Sequence, residues 1–469
     1  MASALPGLIL LAGCSFTPAY ERPAAPVPAA FPAPHNDGTT VPDLDWHSFF
    51  GEPALRALIE EALANNRDMR IASARVEQAR AAFRVQGSAL YPQLDAVANG
   101  VRGRTPADLS MVGVPVTGNK IYAQLSAGWE LDFWGRLAAL RASAREKYLA
   151  SEEGRRGVAT SLIAQVAAGW LLDGEYSERI ALARDTIATR EESLRILRRR
   201  YEVGSGNKLD MTQAQTLLAQ ARTALEALEQ ARDTNRNALA LLVGAPLPEG
   251  EASVRLAAAE QGQTIPAGLP SALLDHRPDI IAAEYQLRAA NAEIGAAKAA
   301  FFPSIKLTGA YGTASAELDG LFKGGSSAWN IGPSIDLPLF NAGRNAANLD
   351  LAKARRDEAL ASYEKTVQTA FREVSDALVN RRQLQEQIAT TDMMVAALKE
   401  RARLAQLRFE YGKSAYLEVL DAQRNLFDAQ QNLVQLRRAY LASGVSLYAA
   451  LGGGFPIQAG NPAAETNQR

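Results

Sequence analysis

The sequence predicts a mainly α-helical chain with a small β part, built from two internal repeats. Three observations carry this. Pieces of the first half recur in the second about 210 residues later, long proline-free segments keep a seven-residue apolar period, and four short segments alternate apolar with polar residues.

The repeat is read from matched residues. Asp68-Met69 matches Asp279-Ile280, and at the same offset Val76 matches Leu287, Phe83 matches Ile294 and Tyr91-Pro92 matches Phe302-Pro303. Past the strands the offset shortens by three: Gly135-Arg136 matches Gly343-Arg344, Arg200 to Gly204 matches Arg408 to Gly412, and Gly244 matches Gly452. The expected division is a signal peptide at 1–13, a lipid anchor and Pro-rich strap at 14–51, a first repeat at 52–247, a linker at 248–276, a second repeat at 277–455 and a flexible tail at 456–469.

At the N-terminus, Leu5 to Ala12 form a short apolar run, too short to span a bilayer as a mature helix and suited to the core of a secretory signal. It ends in Leu11-Ala12-Gly13-Cys14, which looks like a bacterial lipobox with Cys14 as the acylated residue, although no Lys or Arg precedes the run. Pro18, Pro23, Pro26, Pro28, Pro32, Pro34 and Pro42 then favour an extended strap.

Each repeat opens with an Ala-rich helix, at 52–90 and 278–301, that stops at an aromatic-Pro pair, because proline disfavours helix in the residue before it. Strands are expected at about 93–101 and 121–133, then at about 304–313 and 329–339. In 121–133 the odd positions are Ile121, Ala123, Leu125, Ala127, Trp129, Leu131 and Phe133, while the even ones are mostly polar. Such a sheet has one apolar and one polar face. A soluble sheet lying on a core would show the same period. A membrane barrel is favoured by strands of about 10–12 residues and by aromatics at their ends: Tyr91, Trp129, Phe133, Trp134, Phe301, Phe302, Trp329 and Phe340. Long polar loops at 102–120 and 314–327 fit the outer side of such a barrel. Four strands cannot close, so the barrel must be shared: two chains give about eight strands and a filled interior, three give about twelve and room for a passage.

Helical hairpins follow at about 136–243 and 344–451. The first long helix, some 65 residues, reaches about 100 Å. Its apolar period is Ile180, Ile187, Leu194 and Tyr201, repeated as Ile388, Val395, Ala402 and Phe409, a coiled-coil pattern. Gly204-Ser205-Gly206-Asn207 and Gly412-Lys413-Ser414-Ala415 turn the hairpins. Arg200 and Arg408, beside these turns, are expected to pair with acids on neighbouring helices.

Composition narrows function. Lys and Arg number 50 against 51 Asp and Glu, which argues against a nucleic-acid partner, and 47% hydrophobic residues exclude a disordered chain. Three histidines (His35, His47, His276) and one cysteine leave little material for a metal site or a catalytic triad, so neither a metal nor a cofactor is expected and an enzyme is disfavoured.

With the lipobox, the duplication and the Gly-tipped hairpins, three signatures resemble the TolC/OprM family of outer-membrane efflux proteins, in its lipidated NodT-like branch. They are Trp129-Glu130-Leu131-Asp132-Phe133-Trp134-Gly135-Arg136, Ala299-Ala300-Phe301-Phe302-Pro303 and Leu420-Asp421-Ala422-Gln423-Arg424. The resemblance implies a homotrimer whose twelve-stranded outer-membrane β-barrel continues into a periplasmic α-helical coiled-coil barrel. It implies contact with outer-membrane lipid, hairpin tips (Gly204, Gly206, Gly412, Lys413) that dock a periplasmic adaptor, or membrane fusion, protein, and an inner-membrane pump of RND type. The function implied is a passive exit duct for drugs or other small molecules. Family gate positions fall on Leu417, Glu418 and Asp421, with Asp210 in the first hairpin, while Gln213 stands where the second hairpin has Asp421. Phe409 occupies the place of a family gate tyrosine and lacks its hydroxyl. An envelope-tethering coiled-coil lipoprotein without transport is the competing reading; it leaves the four alternating strands unexplained.

Overall fold

The computed structural model describes residues 15–31, 45–247, 256 and 273–453. Cys14, the signal segment, most of the linker and the tail lie outside the described residues. In the first repeat, α1 (Trp46–Phe49) and α2 (Pro53–Asn65) lead into α3 (Arg67–Ser88), β1 (Gln93–Thr105), β2 (Val116–Leu131), α4 (Arg136–Glu202) and α5 (Lys208–Val243). The second has α6 (Leu273–His276), α7 (Pro278–Ala299), β3 (Ser304–Ser315), β4 (Ser327–Asp336), α8 (Arg344–Glu410) and α9 (Tyr416–Ala450).

In space the chain divides across the repeats rather than between them. One compact unit holds Met1–Ala24, Ala74–Glu152 and Ala282–Glu364; the other holds Ala25–Ser73, Glu153–Ile281 and Lys365–Arg469. Each unit therefore takes matching pieces from both repeats.

The first unit contains an antiparallel sheet in the order β1-β2-β3-β4. Its register aligns side chains in rows. One face carries Leu94–Ala127–Gly309–Ile331, Ala96–Leu125–Tyr311–Trp329, Trp129–Leu307–Pro333 and Leu131–Ile305–Ile335. The other carries Gln93–Gly128–Thr308–Gly332, Asp95–Ser126–Ala310–Asn330 and Glu130–Lys306–Ser334. Among the described residues nothing covers the apolar face: Trp329 is 72% exposed, and Leu125, Tyr311, Ile331 and Ile335 are exposed as well. From Leu131 to Ile121 this band runs about 33 Å along β2. At a strand tilt of about 40° that is about 25 Å of height, the thickness of a membrane barrel's apolar belt.

The strand ends differ from the alternation. β1 and β2 extend to Thr105 and back to Val116, through the rows Arg102–Asn119 and Arg104–Thr117. These rows are ladder-paired but polar, so hydropathy does not show them. β2 stops at Leu131 rather than residue 133, because Asp132 turns to cap α4, its Oδ2 accepting from the Ala138 N–H at 2.7 Å. β4 runs from Ser327 to Asp336, short of residue 339, and Pro338 lies just past its end. Pro333 stays in β4 opposite Leu307, on an edge strand where a missing N–H is tolerated. The segment 52–90 is two helices, broken at Asn66, whose Oδ1 accepts from the backbone of Asp68 (2.8 Å) and Met69 (3.1 Å).

Below the band, the aromatics tie strand ends to helices. Trp134 donates its indole N–H to the Pro303 carbonyl (2.7 Å) and stacks on Phe302, with ring centroids 5.0 Å apart. Trp129 donates to the Leu90 carbonyl (3.0 Å). On its other side Phe302 stacks on Phe16 at 4.6 Å, so the strap begins against the end of the sheet.

From Phe16 the strap runs antiparallel along α7. A Cβ at Gly295 would lie 2.2 Å from the Thr17 hydroxyl and 2.8 Å from its Cα, so only glycine fits there. Asn291 donates to the Pro18 carbonyl (2.8 Å). Glu284, 4% exposed, meets Arg22 at 2.8 Å and Arg288, and accepts from the Tyr20 hydroxyl at 3.2 Å. Burial alone would raise the Glu284 carboxyl, but bonds from Arg22 and Arg288 hold it below the usual range. Burial and the Glu284 charge push the Tyr20 phenol up to about 12.

In the second unit both repeats use the same joint. Asn66 donates to the Leu242 carbonyl (2.8 Å), and its counterpart Arg277 donates to the Ala450 carbonyl (2.8 Å), which closes α3 onto α5 and α7 onto α9. The glycine after each helix, Gly244 (φ 74°) or Gly452 (φ 106°), lies against the backbone of Asn65 or His276, with no room for a Cβ. Phe49 and Tyr448 stack at 4.4 Å in the main core of this unit, with Ile163, Val166 and Val243. Among the described residues no helix is long and apolar enough to cross a membrane.

The strap makes a prediction. Gly295→Leu should expel it and expose the peptide bond after Glu21, so limited digestion of the folded protein with a Glu-specific protease should cut there much faster than in wild type. Because Glu284 has a lowered pKa, its contribution is present above the unfolded value and lost as pH falls through the folded one, so the wild-type strap should also loosen on acidification through the carboxylate range. Equal cleavage in both proteins would contradict the docked strap.

Candidate functional site at the hairpin tips

The turns are built alike. Gly204 and Gly412 have φ of 76° and 68°, a conformation that favours glycine. In each, two backbone bonds close the helix: Gly204 N–H to Tyr201 O and Ser205 N–H to Arg200 O, matched by Gly412 N–H to Phe409 O and Lys413 N–H to Arg408 O. A Cβ at Gly206 would come within 3.0 Å of the Arg200 Cβ. Gly204, Gly206, Gly412 and Lys413 are all exposed.

The restart of the helices differs. Asn207 caps α5, its Oδ1 accepting from the Asp210 N–H (2.7 Å) while its Nδ2 donates to the Asp210 carboxylate (2.9 Å). At α9 the cap position is Ala415, with no side-chain bond, and the Ser414 hydroxyl is buried without a partner among the described residues. The second tip is the less firmly capped.

The two carboxylates marked by the sequence in the second hairpin are each matched by arginine. Asp421 accepts from Arg401 across the hairpin (2.6 Å), from Arg424 one turn on (2.7 Å) and from Asn425 (3.2 Å). Glu418 lies 4.0 Å from Arg408, as expected of that arginine. Leu417 is exposed beside them. Arg200 meets no acid among the described residues; its guanidinium lies over the Phe409 ring at 5.1 Å. The expected acid pairing is corrected there, because an aromatic face at the tip receives the cation instead. These ion pairs are solvent-exposed and each contributes at most about 1 kcal/mol, so they orient the tip more than they stabilise it.

Sequence reasoning missed two partners. Arg401 is 20 residues before Asp421 and meets it because α8 and α9 fold back about the turn. Tyr416 is buried in the core that joins the two hairpins, with Leu197, Leu217, Ala405 and Val419. Its ring packs on Phe409 at 5.0 Å, and its hydroxyl bonds Ser193 of α4. Burial, with the Asp210 charge, raises the Tyr416 phenol despite that bond. The hydroxyl that Phe409 lacks is thus supplied to the same core from α9.

With this geometry in view, comparison with known proteins is decisive. The model of the outer membrane efflux protein family matches residues 58–245 and 269–453. The solvent efflux pump outer membrane protein SrpC of Pseudomonas putida is 43% identical over 462 residues, covering 96% of this chain and 97% of that protein. A membrane protein from Pseudomonas aeruginosa superimposes with a TM-score of 0.89 at 40% identity, covering 94% of this chain and 98% of the other. The open state of the Neisseria gonorrhoeae MtrE outer membrane channel superimposes at 0.84 with 37% identity, covering 94% and 98%. The chain belongs to the outer membrane efflux protein family. Its two repeats are the family's duplicated unit, and its place is the outer membrane.

Asp421 yields a prediction. Its carboxylate stands against two guanidinium groups, so Asp421→Ala leaves both without it. In a planar bilayer with asymmetric salt, the reversal potential should shift toward anions, with a smaller shift for an acid away from the tips such as Asp357→Ala. No difference between the two variants would reduce Asp421 to a solvated helix-start residue.

Proposed function

We propose that this protein is the exit duct of a tripartite efflux system, three copies closing one twelve-stranded barrel. The observation that carries the reading is the uncovered apolar band, about 25 Å high, on a sheet with two open edges. An open edge is not viable in lipid, and four strands cannot close on themselves. Three sheets joined edge to edge satisfy every backbone group, turn the apolar rows to lipid and enclose the Asp95, Gln124 and Asn330 side.

Membership of the efflux family supports the rest. The hairpin tips, far along the chain from the strands, are the docking points for a periplasmic adaptor that connects to an inner-membrane pump of RND type. Leu417, Glu418, Asp421 and Asp210 form the closable end. The solvent efflux relative makes small apolar molecules the cargo class to test. Cys14 is the lipidated residue: it stands two residues before Phe16, which stacks against the end of the sheet where the apolar band begins. Acyl chains there would enter the adjoining leaflet.

The test is reconstitution. Protein extracted from its native outer membrane should carry acyl chains on Cys14 by peptide mass, run as a trimer in mild detergent, and conduct ions in a planar bilayer. An oligomer that never conducts, from protein shown to be folded, would favour the tether.

A further inference from the structure

The heptad of α4 has a second core column, three residues past the first: Ala183, Arg190 and Leu197. It is the more buried of the two. Ala183 is 0% exposed, Leu197 is 4% exposed, and between them Arg190 is 5% exposed. A cation thus occupies a core position of the coiled coil just behind the tip.

That cation is poorly satisfied. Among the described residues, one of its five N–H donors, from Nη1, reaches an acceptor, the Leu217 carbonyl on α5 (2.7 Å). Nε is buried with no partner among the described residues. The guanidinium lies over the Phe427 ring of α9 at 5.4 Å. Asp428, the next residue on α9, is exposed, and its charge acts on Arg190, but no ion pair forms within 4.0 Å among the described residues. Burial holds the guanidinium below its ordinary pKa, the mark of a charge that has lost more water than it has regained in partners.

The fold does not require a cation here. In the second repeat the matching position is Leu398, between Thr391 and Ala405, in a helix of the same length. An arginine where the duplicate carries leucine marks the first hairpin as different.

Resting on the reading of the tips as the closable end, we propose that Arg190 is the built-in destabiliser of the packed tip, the residue that makes closure conditional. While α4, α5 and α9 are packed, Arg190 is desolvated and nearly unpartnered. Separating α9 from α4 returns it to water, while Asp428 leaves with α9 and its attraction is lost. The packed core around Tyr416 opposes this, so closed and separated arrangements lie close in free energy, and an adaptor with a modest preference for the separated tip can open it.

The test uses the full-length trimer in planar bilayers, with Arg190→Leu, Asp428→Asn and the double variant. Arg190→Leu should lower the opening probability about tenfold or more, since it removes the cost of burying an unpaired charge, and leave open-channel conductance unchanged. Asp428→Asn removes an attraction present in the packed tip, so it should raise the opening probability to a smaller degree, and should add nothing in the Arg190→Leu background. An intact Arg190→Leu trimer that opens as often as wild type, or more often, overturns the proposal and leaves Arg190 as a register device. So does an Asp428→Asn effect that persists without Arg190. If Arg190→Leu does not assemble, Asp428→Asn decides alone: its position is exposed, and unchanged opening overturns the proposal. A wild-type protein that never conducts removes the duct reading, and this inference with it.

Discussion

The arrangement of this protein follows from backbone groups that cannot be left unpaired in lipid. A sheet of four strands has two free edges, and its apolar face here has no cover among the described residues. A soluble protein would hide that face under a helix. In this chain every long helix is committed elsewhere: α3, α4, α7 and α8 leave the strand ends, with Trp134, Trp129 and Asp132 fixing how they leave. On the proposed reading more copies of the same sheet supply the missing edges, and assembly is then a condition of membrane insertion rather than an addition to it.

Duplication supplies most of the architecture, and departures from it supply the specialised parts. The joint that closes α3 on α5 recurs between α7 and α9, although Asn66 makes it in one repeat and Arg277 in the other. Both donate to equivalent carbonyls, so the geometry is preserved while the chemistry changes. Arg277 adds ion pairs to Asp279 (2.7 Å) and Glu373 (2.9 Å), which tie α7 to α8. At the tips the asymmetry is greater. The first hairpin is capped by Asn207, has Asp210 where the second has Glu418 but Gln213 where the second has Asp421, and buries Arg190. The second is uncapped, carries Glu418 and Asp421 with their arginines, and inserts Tyr416 between the hairpins.

Much of this was legible because periodicity reports burial. The two-residue period of 121–133 marks the rows that Leu125 and Trp129 occupy, and the seven-residue period marks the coiled coils. Periodicity failed where pairing is not hydrophobic. The rows Arg102–Asn119 and Arg104–Thr117 lengthen the hairpin through polar residues, and the break at Asn66 rests on two backbone bonds to one side chain. The heptad was read on Ile180, Ile187, Leu194 and Tyr201, yet the more buried column runs through Ala183, Arg190 and Leu197, because small and charged residues there carry no apolar signal. The docking of the strap on α7 has no sequence period at all. Only the glycine at 295, within an Ala-rich helix, hints that another backbone passes close by.

The central claim is edge-to-edge closure of three sheets, and disulfide scanning tests it most directly. The chain has one cysteine, Cys14, so pairs can be introduced without interference once it is acylated. One cysteine is placed along β1, from Gln93 to Asn99, and one along β4, from Asn330 to Asp336, and outer membranes are oxidised without detergent. The account predicts a covalent trimer for a subset of pairs that share a face, alternating with a period of two along each strand. Absence of any cross-link between the two edges, or products no larger than a dimer, would contradict it.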